Sequence, residues 1–289
     1  MEKDGVYSGV TADAVFSLNM DRYISYKYIA QYFQIKKGDI IYLAADITKL
    51  ANSARKHGER FDPATFIKSF TEIIGVEGTL LIPAFNYDLV KNSSYDMLNT
   101  QPVTGVLAQY ALRLEGFSRT FNALHSFAVW GKCSDELCAI KNLDSFSEDS
   151  PFGFLHRHCA SMLIIDLELQ SSLTFAHYTE QVEKVKYRSY KKIPVKYTDA
   201  EGKTERIVFK LYAKKPGYIN NVNPLHGFFL SKGILRIKEI NGSKLQQLDL
   251  CGAHQLMQQD IKENKAANLV YFNMNQWAKQ IVKSAIGRS

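Results

Sequence analysis

The chain has 289 residues, 46% of them hydrophobic and 22% charged, a composition that supports a sizeable core and excludes intrinsic disorder. Its first five residues contain no apolar segment, and no stretch is long enough to cross a bilayer. We therefore expect a cytoplasmic protein without a signal peptide or membrane span. The cysteine spacing fits no zinc site, so we expect no metal and reduced, mostly buried thiols at Cys133, Cys138, Cys159 and Cys251.

The net charge is +7, and much of the excess lies in residues 184–196, with Lys210, Lys214 and Lys215 following. Two interpretations of this basic stretch stay open: a solvated surface, or a site for the phosphates of a small anionic ligand. No helix-turn-helix, zinc finger or RNA-binding motif accompanies the charge, so we expect no nucleic-acid partner.

Short apolar runs alternate with helical patterns up to about residue 185. Strands are predicted at 40–45, 79–83, 127–130 and 162–167, and helices at 21–34, 63–74, 102–115, 134–140, from Ser150-Pro151 onward, and at 174–185. This alternation predicts an α/β fold, a three-layer sandwich with a mostly parallel central sheet flanked by helices.

After residue 190 the pattern changes to a β-rich elaboration. Residues 193–198 and 205–213 predict a hairpin, followed by a helix at 223–232, a strand at 234–240, and helices at 252–264 and 274–286. No interdomain linker is apparent, so we predict that residues 1–289 form one domain.

Polar residues at the predicted strand and helix ends are the first candidates for chemistry. His125-Ser126 precedes the strand at 127–130, where α/β sheets build ligand sites, and an imidazole there could be a base, a donor or a structural residue. Ser150 before Pro151 has the pattern of a helix N-cap, and the N–H groups of such a helix start can bind an anion.

His177 and Glu180 lie three residues apart in a predicted helix, so they share one face. An amine must lose its proton before it attacks a thioester, and a histidine with a near-neutral pKa suits that task. Glu180 could orient the imidazole or join in proton transfer; the alternative is a surface ion pair. Arg188 could clasp a phosphate, with Lys191 adding positive field, unless the stretch is simply solvated.

Five segments in order resemble the aminoglycoside 3-N-acetyltransferase family, particularly divergent members associated with cell-surface polysaccharide genes. The resemblance runs from about residue 21 to 200, with a Y-R-x-x-K pattern of the divergent branch at Tyr187, Arg188 and Lys191. The segments are Lys37-Gly38-Asp39 with the strand after it, G-x-x-G-T-L-x-x-P-x-F at 75–85, Arg119-Thr120 with H-S-x-A-x-x-G at 125–131, S-P-x-x-x-L at 150–155, and T-x-x-H-x-x-E at 174–180.

The resemblance implies an acyl-coenzyme A-dependent N-acyltransferase, with acetyl-coenzyme A or another acyl-coenzyme A as co-substrate. It implies acid–base roles for His177 and Glu180, with His125 beside the thioester or the amine. The remaining site residues that it implies are Ser126, Arg119, Ser150 and Phe152 toward coenzyme A, and Thr174, Tyr178, Arg188, Lys191 and Phe85 toward the acceptor.

Two departures from the family pattern concern the ligands. Ala44-Ala45-Asp46 stands where the family usually carries a polar H-S/A-S segment at coenzyme A, and Lys210 to Lys215 is basic where the resistance enzymes carry an acidic stretch. A positive site repels an aminoglycoside and attracts a diphosphate, so we expect a nucleotide-linked amino sugar as acceptor.

Three alternatives remain open from the sequence. The chain could be a true aminoglycoside acetyltransferase, or a non-catalytic ligand-binding protein on the same scaffold. The reaction could also pass through a thiol relay at Cys159, which lies next to His158 in the sequence.

Overall fold

A computed structural model of the protein describes residues 23–286. The expectation about a signal peptide, and the first two residues of the helix predicted at 21–34, lie outside this range. Within it, no helix has both the length and the apolar character needed to cross a bilayer.

The centre of the fold is a seven-stranded sheet in the order β10-β11-β6-β1-β2-β5-β4. A three-stranded sheet, β3-β7-β8, and the pair β9-β12 lie outside it. The strand bounds are β1 Ile40–Ala45, β2 Thr79–Pro83, β3 Ser94–Asp96, β4 Ser118–Arg119, β5 Phe127–Gly131, β6 Ser161–Ile165, β7 Arg188–Thr198, β8 Thr204–Lys214, β9 Tyr218–Asn220, β10 Leu235–Ile240, β11 Ser243–Asp249 and β12 Val270–Phe272.

The central sheet is mixed, which corrects the prediction of a mostly parallel sheet. In this sheet, parallel pairing is confined to the neighbours β6, β1 and β2, whereas the pairs β10–β11, β11–β6, β2–β5 and β5–β4 are antiparallel. The long connection between β2 and β5 comes back to the same edge of the sheet at which β2 ends. β5 therefore starts beside the end of β2, and Pro83 pairs with Phe127. A parallel neighbour would have required a crossover to the opposite edge.

Helices cover both faces of the sheet, as the three-layer prediction requires. Alternate residues of each central strand enter different cores: Tyr42 and Leu81 pack into one, Ile41 and Leu80 into the other. The helices are α1 Thr48–Lys56, α2 Pro63–Ile74, α3 Leu89–Asn92, α4 Val106–Ala111, α5 Ser134–Ala139, α6 Pro151–Arg157, α7 Leu169–Ser172, α8 Ala176–Val182, α9 Asn223–Ser231, α10 Leu250–Glu263 and α11 Met274–Ile286, with a 3₁₀ helix at Tyr26–Tyr32.

Local capping explains several of these bounds. Asp62 accepts hydrogen bonds from the first turn of α2, and Gly75 ends that helix at a positive φ of 63°. The helix predicted at 102–115 is shorter in the structure, where α4 spans Val106–Ala111. Gly105, at φ 109°, precedes the first residue of α4, and the chain turns beyond Ala111.

The predicted hairpin is confirmed and is longer than expected. β7 and β8 pair along their whole length, from Arg188 opposite Lys214 to Thr198 opposite Thr204. Ile193, Val195 and Tyr197 are buried on one face of the hairpin, while the intervening residues are exposed. Alternation along a strand therefore assigns each side chain to one of two different surfaces.

The structure joins Cys159 to Cys251, with their Cα atoms 5.0 Å apart. This pairing contradicts the expectation that all four thiols are free, since only Cys133 and Cys138 are unpaired among the described cysteines. Cys159 follows α6 and Cys251 begins α10, 92 residues later, so the pairing depends on the packing of these two helices and not on a local motif.

Candidate active site

One edge of the central sheet collects the polar residues singled out in the sequence. The carboxyl ends of the parallel strands β1, β2 and β6 lie at this edge. The amino end of β5 lies there too, because β5 runs antiparallel to β2, and it brings His125 with it. The segment after β6 leads into α8, which carries His177. Such an edge is where α/β folds place their ligand sites.

The predicted His177–Glu180 pair is formed in the first turns of α8. His177 Nδ1 lies 2.6 Å from Glu180 Oε2, and the side chains are 23% and 2% exposed, respectively. An ionised carboxylate can only accept, so Nδ1 carries the proton that it donates to Glu180. Nε2 is then the nitrogen with a free lone pair, which is the arrangement that a general base requires.

Glu180 is held by two further side chains. Its Oε1 accepts a hydrogen bond of 2.9 Å from the Tyr187 hydroxyl, and Arg188 Nε lies 2.8 Å from Oε2. Burial alone would raise the pKa of this carboxyl group, but His177, Arg188 and Tyr187 together lower it below its ordinary value. Glu180 is therefore a buried carboxylate that stays ionised at neutral pH.

The electrostatics keep His177 unprotonated. Burial lowers its pKa, the positive charge of Arg188 lowers it further, and Glu180 offsets only part of these effects. At neutral pH the ring is therefore neutral and available to accept a proton.

His125 is the second imidazole at this edge, and it is 4% exposed. Its ring centroid lies 5.0 Å from that of Phe85 and 4.7 Å from that of Phe146. Its Nδ1 is buried without a hydrogen-bond partner. Burial, with a smaller contribution from His177, lowers the pKa of His125 to about 3, so this ring is neutral and can donate one N–H.

Hydroxyl groups complete the same region. Burial raises the pKa of Tyr42 and of Tyr87, and a hydrogen bond with the Thr174 hydroxyl offsets part of that rise for each tyrosine. Tyr87 also packs its ring 5.8 Å from that of His125. The predicted site residues that the fold brings together are His177, Glu180, His125, Thr174, Phe85 and Arg188.

Arg188 is in the site, but not in the predicted role. It is 6% exposed, it forms an ion pair with Glu180 in which Nε is not aligned for a hydrogen bond, and it donates to the Tyr212 carbonyl and to Asn220 Oδ1, each at 3.0 Å. A guanidinium that is buried and already paired with a carboxylate is not placed to clasp a substrate phosphate, which corrects that prediction.

The predicted coenzyme A contacts at Arg119 and Ser126 are also contradicted by their placement. Arg119 is 5% exposed; it donates to Ser126 Oγ at 3.0 Å and to the carbonyls of Ala84 and Thr100. Ser126 is fully buried and donates to the Ala84 carbonyl at 2.7 Å. These groups tie the segments around β5 together and are buried away from a ligand.

Ser150 and Phe152 are structural in the same sense. Ser150 is the N-cap of α6 and accepts from Gly153 N at 3.3 Å, as predicted, but it is fully buried and offers no anion site. Phe152 is fully buried too, with its ring 5.2 Å from those of Phe127 and Phe146. Both residues support the wall behind His125 instead of touching coenzyme A.

Tyr178 and Lys191 point away from the His177–Glu180 pair. Tyr178 is 3% exposed and its hydroxyl lies 2.9 Å from His156 Nδ1, on another side of α8 from His177. Lys191 pairs with Leu211, so it lies on the hairpin face opposite to the one that carries Arg188. Neither side chain is placed for the predicted acceptor contact.

Sequence reasoning missed four residues of this site. Phe146 contacts both histidine rings, Tyr187 holds Glu180, Asn220 holds Arg188, and the positive charge of Lys214 lowers the pKa of His177. Tyr187 and Lys214 belonged to patterns that were noticed, and the cross-strand register would have paired Lys214 with Arg188. Phe146 and Asn220 carried no sequence signal.

Ala44-Ala45-Asp46 ends β1 at the same sheet edge. Ala44 is buried, and Asp46 is exposed and accepts from Thr48 N at 2.9 Å, where it supports the first turn of α1. This segment therefore has a local structural role in place of the polar contacts expected from the family pattern.

The family model described as aminoglycoside 3-N-acetyltransferase matches residues 53–261, more than two thirds of the chain. The chain belongs to the aminoglycoside 3-N-acetyltransferase family. This confirms the resemblance seen in the sequence, and with it the class of acyl-coenzyme A-dependent N-acetyltransferases. The match includes His125, His177, Glu180 and Arg188.

Solved structures of several other proteins share the fold. "AAC-IIIb binary with CoASH" superposes with a TM-score of 0.70 at 19% identity, covering 86% of this chain and 97% of that one. Aminoglycoside acetyltransferase AAC(3)-Xa gives 0.67 at 17%, covering 83% and 92%, and YokD protein from Bacillus subtilis gives 0.65 at 15%, covering 84% and 94%. No curated protein matches the chain.

Proposed function

We propose that this protein transfers an acyl group, most simply acetyl, from acyl-coenzyme A to the amino group of a nucleotide-linked amino sugar used in surface polysaccharide biosynthesis. The observation that carries the proposal is the His177–Glu180 contact of 2.6 Å at the sheet edge, with His177 partly exposed and its pKa lowered. A neutral imidazole held by a carboxylate is the group that can accept a proton from an attacking amine.

The proposed reaction is direct transfer between the two substrates. His177 Nε2 accepts a proton as the amine nitrogen attacks the thioester carbonyl, and the neutral His125 ring donates an N–H to the oxyanion. The C–S bond then breaks, and the leaving coenzyme A thiolate takes the proton from His177. Holding amine and thioester together supplies much of the remaining acceleration.

A basic surface next to His177 supports an anionic acceptor. The β7–β8 register places Arg188 opposite Lys214 and Lys192 opposite Lys210, so the three lysines share the face on which Arg188 reaches His177. All three are exposed. They replace Lys191 and Arg188 as the proposed contacts for a diphosphate, because exposed ammonium groups remain free to bind one.

A second acceptor, an aminoglycoside, is favoured by one feature. A cavity of about 720 Å³ beside the far end of the hairpin is lined in part by Asp199, Glu201 and Glu205. Three carboxylates suit a polycation, although Lys141 and Arg206 line the same cavity and offset part of their charge. We place this candidate second because the cavity lies at the hairpin end remote from Arg188 and His177, and the exposed residues that share the Arg188 face near His177 are lysines.

We also propose a cytoplasmic location, where acyl-coenzyme A is available. In that reducing compartment the Cys159–Cys251 disulfide would be open to reduction.

A thiol-release assay tests the proposal with several acyl-coenzyme A donors against nucleotide-linked amino sugars, the matching free amino sugars and a set of aminoglycosides. We expect wild-type protein to release the thiol, with the highest kcat/KM for a nucleotide-linked acceptor. Preference for aminoglycosides would select the second candidate. Binding of coenzyme A without thiol release from any amine would instead favour a non-catalytic protein.

A further inference from the structure

The two residues that hold Glu180 lie just beyond α8. Tyr187 is 8% exposed and Arg188 is 6% exposed, and Arg188 is the first residue of β7. Tyr187 donates to Oε1 of Glu180 at 2.9 Å, while Arg188 Nε and His177 Nδ1 approach Oε2 at 2.8 and 2.6 Å. Both carboxylate oxygens are therefore occupied, and the carboxylate plane is fixed from two sides.

Arg188 is itself anchored independently of any ligand. Its Nη1 donates to the Tyr212 carbonyl on β8 and its Nη2 to Asn220 Oδ1 on β9, both at 3.0 Å. The same Nη2 lies 3.0 Å from His177 Nδ1, but Nδ1 directs its proton toward Glu180 and therefore cannot accept a hydrogen bond from the guanidinium. The position of the guanidinium is thus set by two strands outside the central sheet, and it connects the hairpin with the helix that carries His177.

Charge explains why such an anchor is needed. A buried carboxylate without a counter-charge would take up a proton, and a protonated Glu180 could donate to Nδ1 instead of accepting from it. His177 would then change tautomer and lose the free lone pair at Nε2. A fixed positive group at Oε2 and a hydroxyl donor at Oε1 remove that alternative.

We propose that Arg188 and Tyr187 are positioning residues: they hold the Glu180 carboxylate so that His177 keeps its proton on Nδ1, and they do not contact either substrate. This inference rests on the proposed function only for its kinetic consequence. The charged and titratable groups that face His177 come from four elements: Glu180 on α8, Arg188 on β7, Lys214 on β8, and His125 before β5.

Nitrogen-15 NMR of histidine-labelled protein tests the proposal without turnover. Wild type is expected to show His177 protonated on Nδ1 and titrating below the ordinary histidine pKa. In Arg188→Met the pKa of His177 should rise by about one unit, because a nearby positive charge is lost, and Tyr187→Phe should raise it less. An unchanged tautomer and pKa in both variants would overturn the proposal.

Matched control substitutions distinguish a specific effect on the position of Glu180 from a general disturbance of the fold. Arg206→Met, at the far end of the hairpin, and Tyr110→Phe, on an exposed turn of α4, should leave the His177 resonances unchanged. Should Arg188→Met not fold, Arg188→Lys keeps the charge but lacks the planar fork, so we expect mixed His177 tautomers at a still lowered pKa. A single Nδ1-protonated tautomer in both Arg188→Lys and Tyr187→Phe would also overturn the proposal.

Kinetics give the second readout. Arg188→Met should lower kcat about tenfold or more with KM changed less than about threefold, since only the base is misplaced. The acid limb of kcat/KM should move to higher pH, whereas a merely structural defect would lower kcat/KM equally at every pH. Absence of thiol release from wild type would refute the proposed function, and the NMR result would still decide this inference.

Discussion

His125 and His177 share one aromatic neighbour: the ring centroid of Phe146 lies 4.7 Å from that of His125 and 5.4 Å from that of His177. The two imidazoles come from distant segments of the sequence: His125 precedes β5 and His177 lies on α8. Both are neutral at neutral pH, because burial lowers the pKa of each. Within one site, His177 can therefore accept a proton and His125 can donate an N–H. Neither role requires a charged histidine before the substrates bind.

Replacing His177 with alanine should lower kcat at least about a hundredfold, since general base catalysis contributes roughly 10²–10⁴-fold. Coenzyme A affinity should change less than about threefold, because the ring is assigned to the amine and not to the coenzyme. Thiol release and calorimetric titration of coenzyme A measure the two quantities. His57→Ala, at an exposed histidine that ends α1, serves as the control. Undiminished turnover in His177→Ala would reject the base assignment.

Acid should destabilise the protein through His125. Its pKa is about 3 in the folded protein against about 6.5 when unfolded, so the unfolded state binds the extra proton between these values. The free energy of unfolding should therefore fall as pH drops below about 6.5, by about 3 kcal/mol at pH 4 from this group alone. Urea titrations at pH 7 and pH 4 measure the loss. His125→Gln should make it smaller, while the exposed His57→Gln should not; equal losses in both variants would contradict the assignment.

Glu180→Gln should destabilise the fold because it leaves Arg188 buried without its counter-charge. Breaking a buried ion pair in this way costs about 3–5 kcal/mol. Urea unfolding at pH 7 gives the value. The matched change Glu72→Gln removes a carboxylate that is 65% exposed and paired with Lys68, and should cost under about 1 kcal/mol. Similar losses for the two variants would mean that the Glu180–Arg188 pair is not the buried link described.

Removing the exposed lysines beside His177 should affect anionic acceptors selectively. The triple change of Lys192, Lys210 and Lys214 to alanine should raise the apparent KM for a nucleotide-linked amino sugar about tenfold or more. The KM for the free amino sugar should stay within about twofold. Lys191→Ala, on the opposite hairpin face, is the matched control. A parallel loss with both acceptors would count against a phosphate contact at this surface.

The Cys159–Cys251 pair should be dispensable for turnover. Cys159 lies beyond the C-terminal end of α6, whereas Phe152 near the start of that helix is the residue that packs by His125. Cys159→Ser should therefore retain kcat within about twofold in the thiol-release assay, under reducing and non-reducing conditions alike. Complete loss of activity in a folded Cys159→Ser protein would support the thiol relay instead of direct transfer.

The sequence by itself determined the local elements and the family. Apolar runs such as Ile40–Ala45 specify buried strands, Asp62 and Ser150 specify helix starts, and the three-residue spacing of His177 and Glu180 is sufficient to place them on one helix face. These features depend on neighbours within a few residues in the sequence, so periodicity and capping rules are sufficient to predict them.

Only the tertiary structure decided which polar groups remain free for a ligand. Arg119, Arg188 and Ser126 have the chemistry of ligand contacts, but partners up to 42 residues away use their hydrogen-bonding groups. The direction of β5, the Cys159–Cys251 pairing and the approach of Phe146 to both histidines likewise depend on long-range packing. Burial and hydrogen-bond satisfaction are properties of the assembled chain, so they set the roles of residues whose type was visible in the sequence.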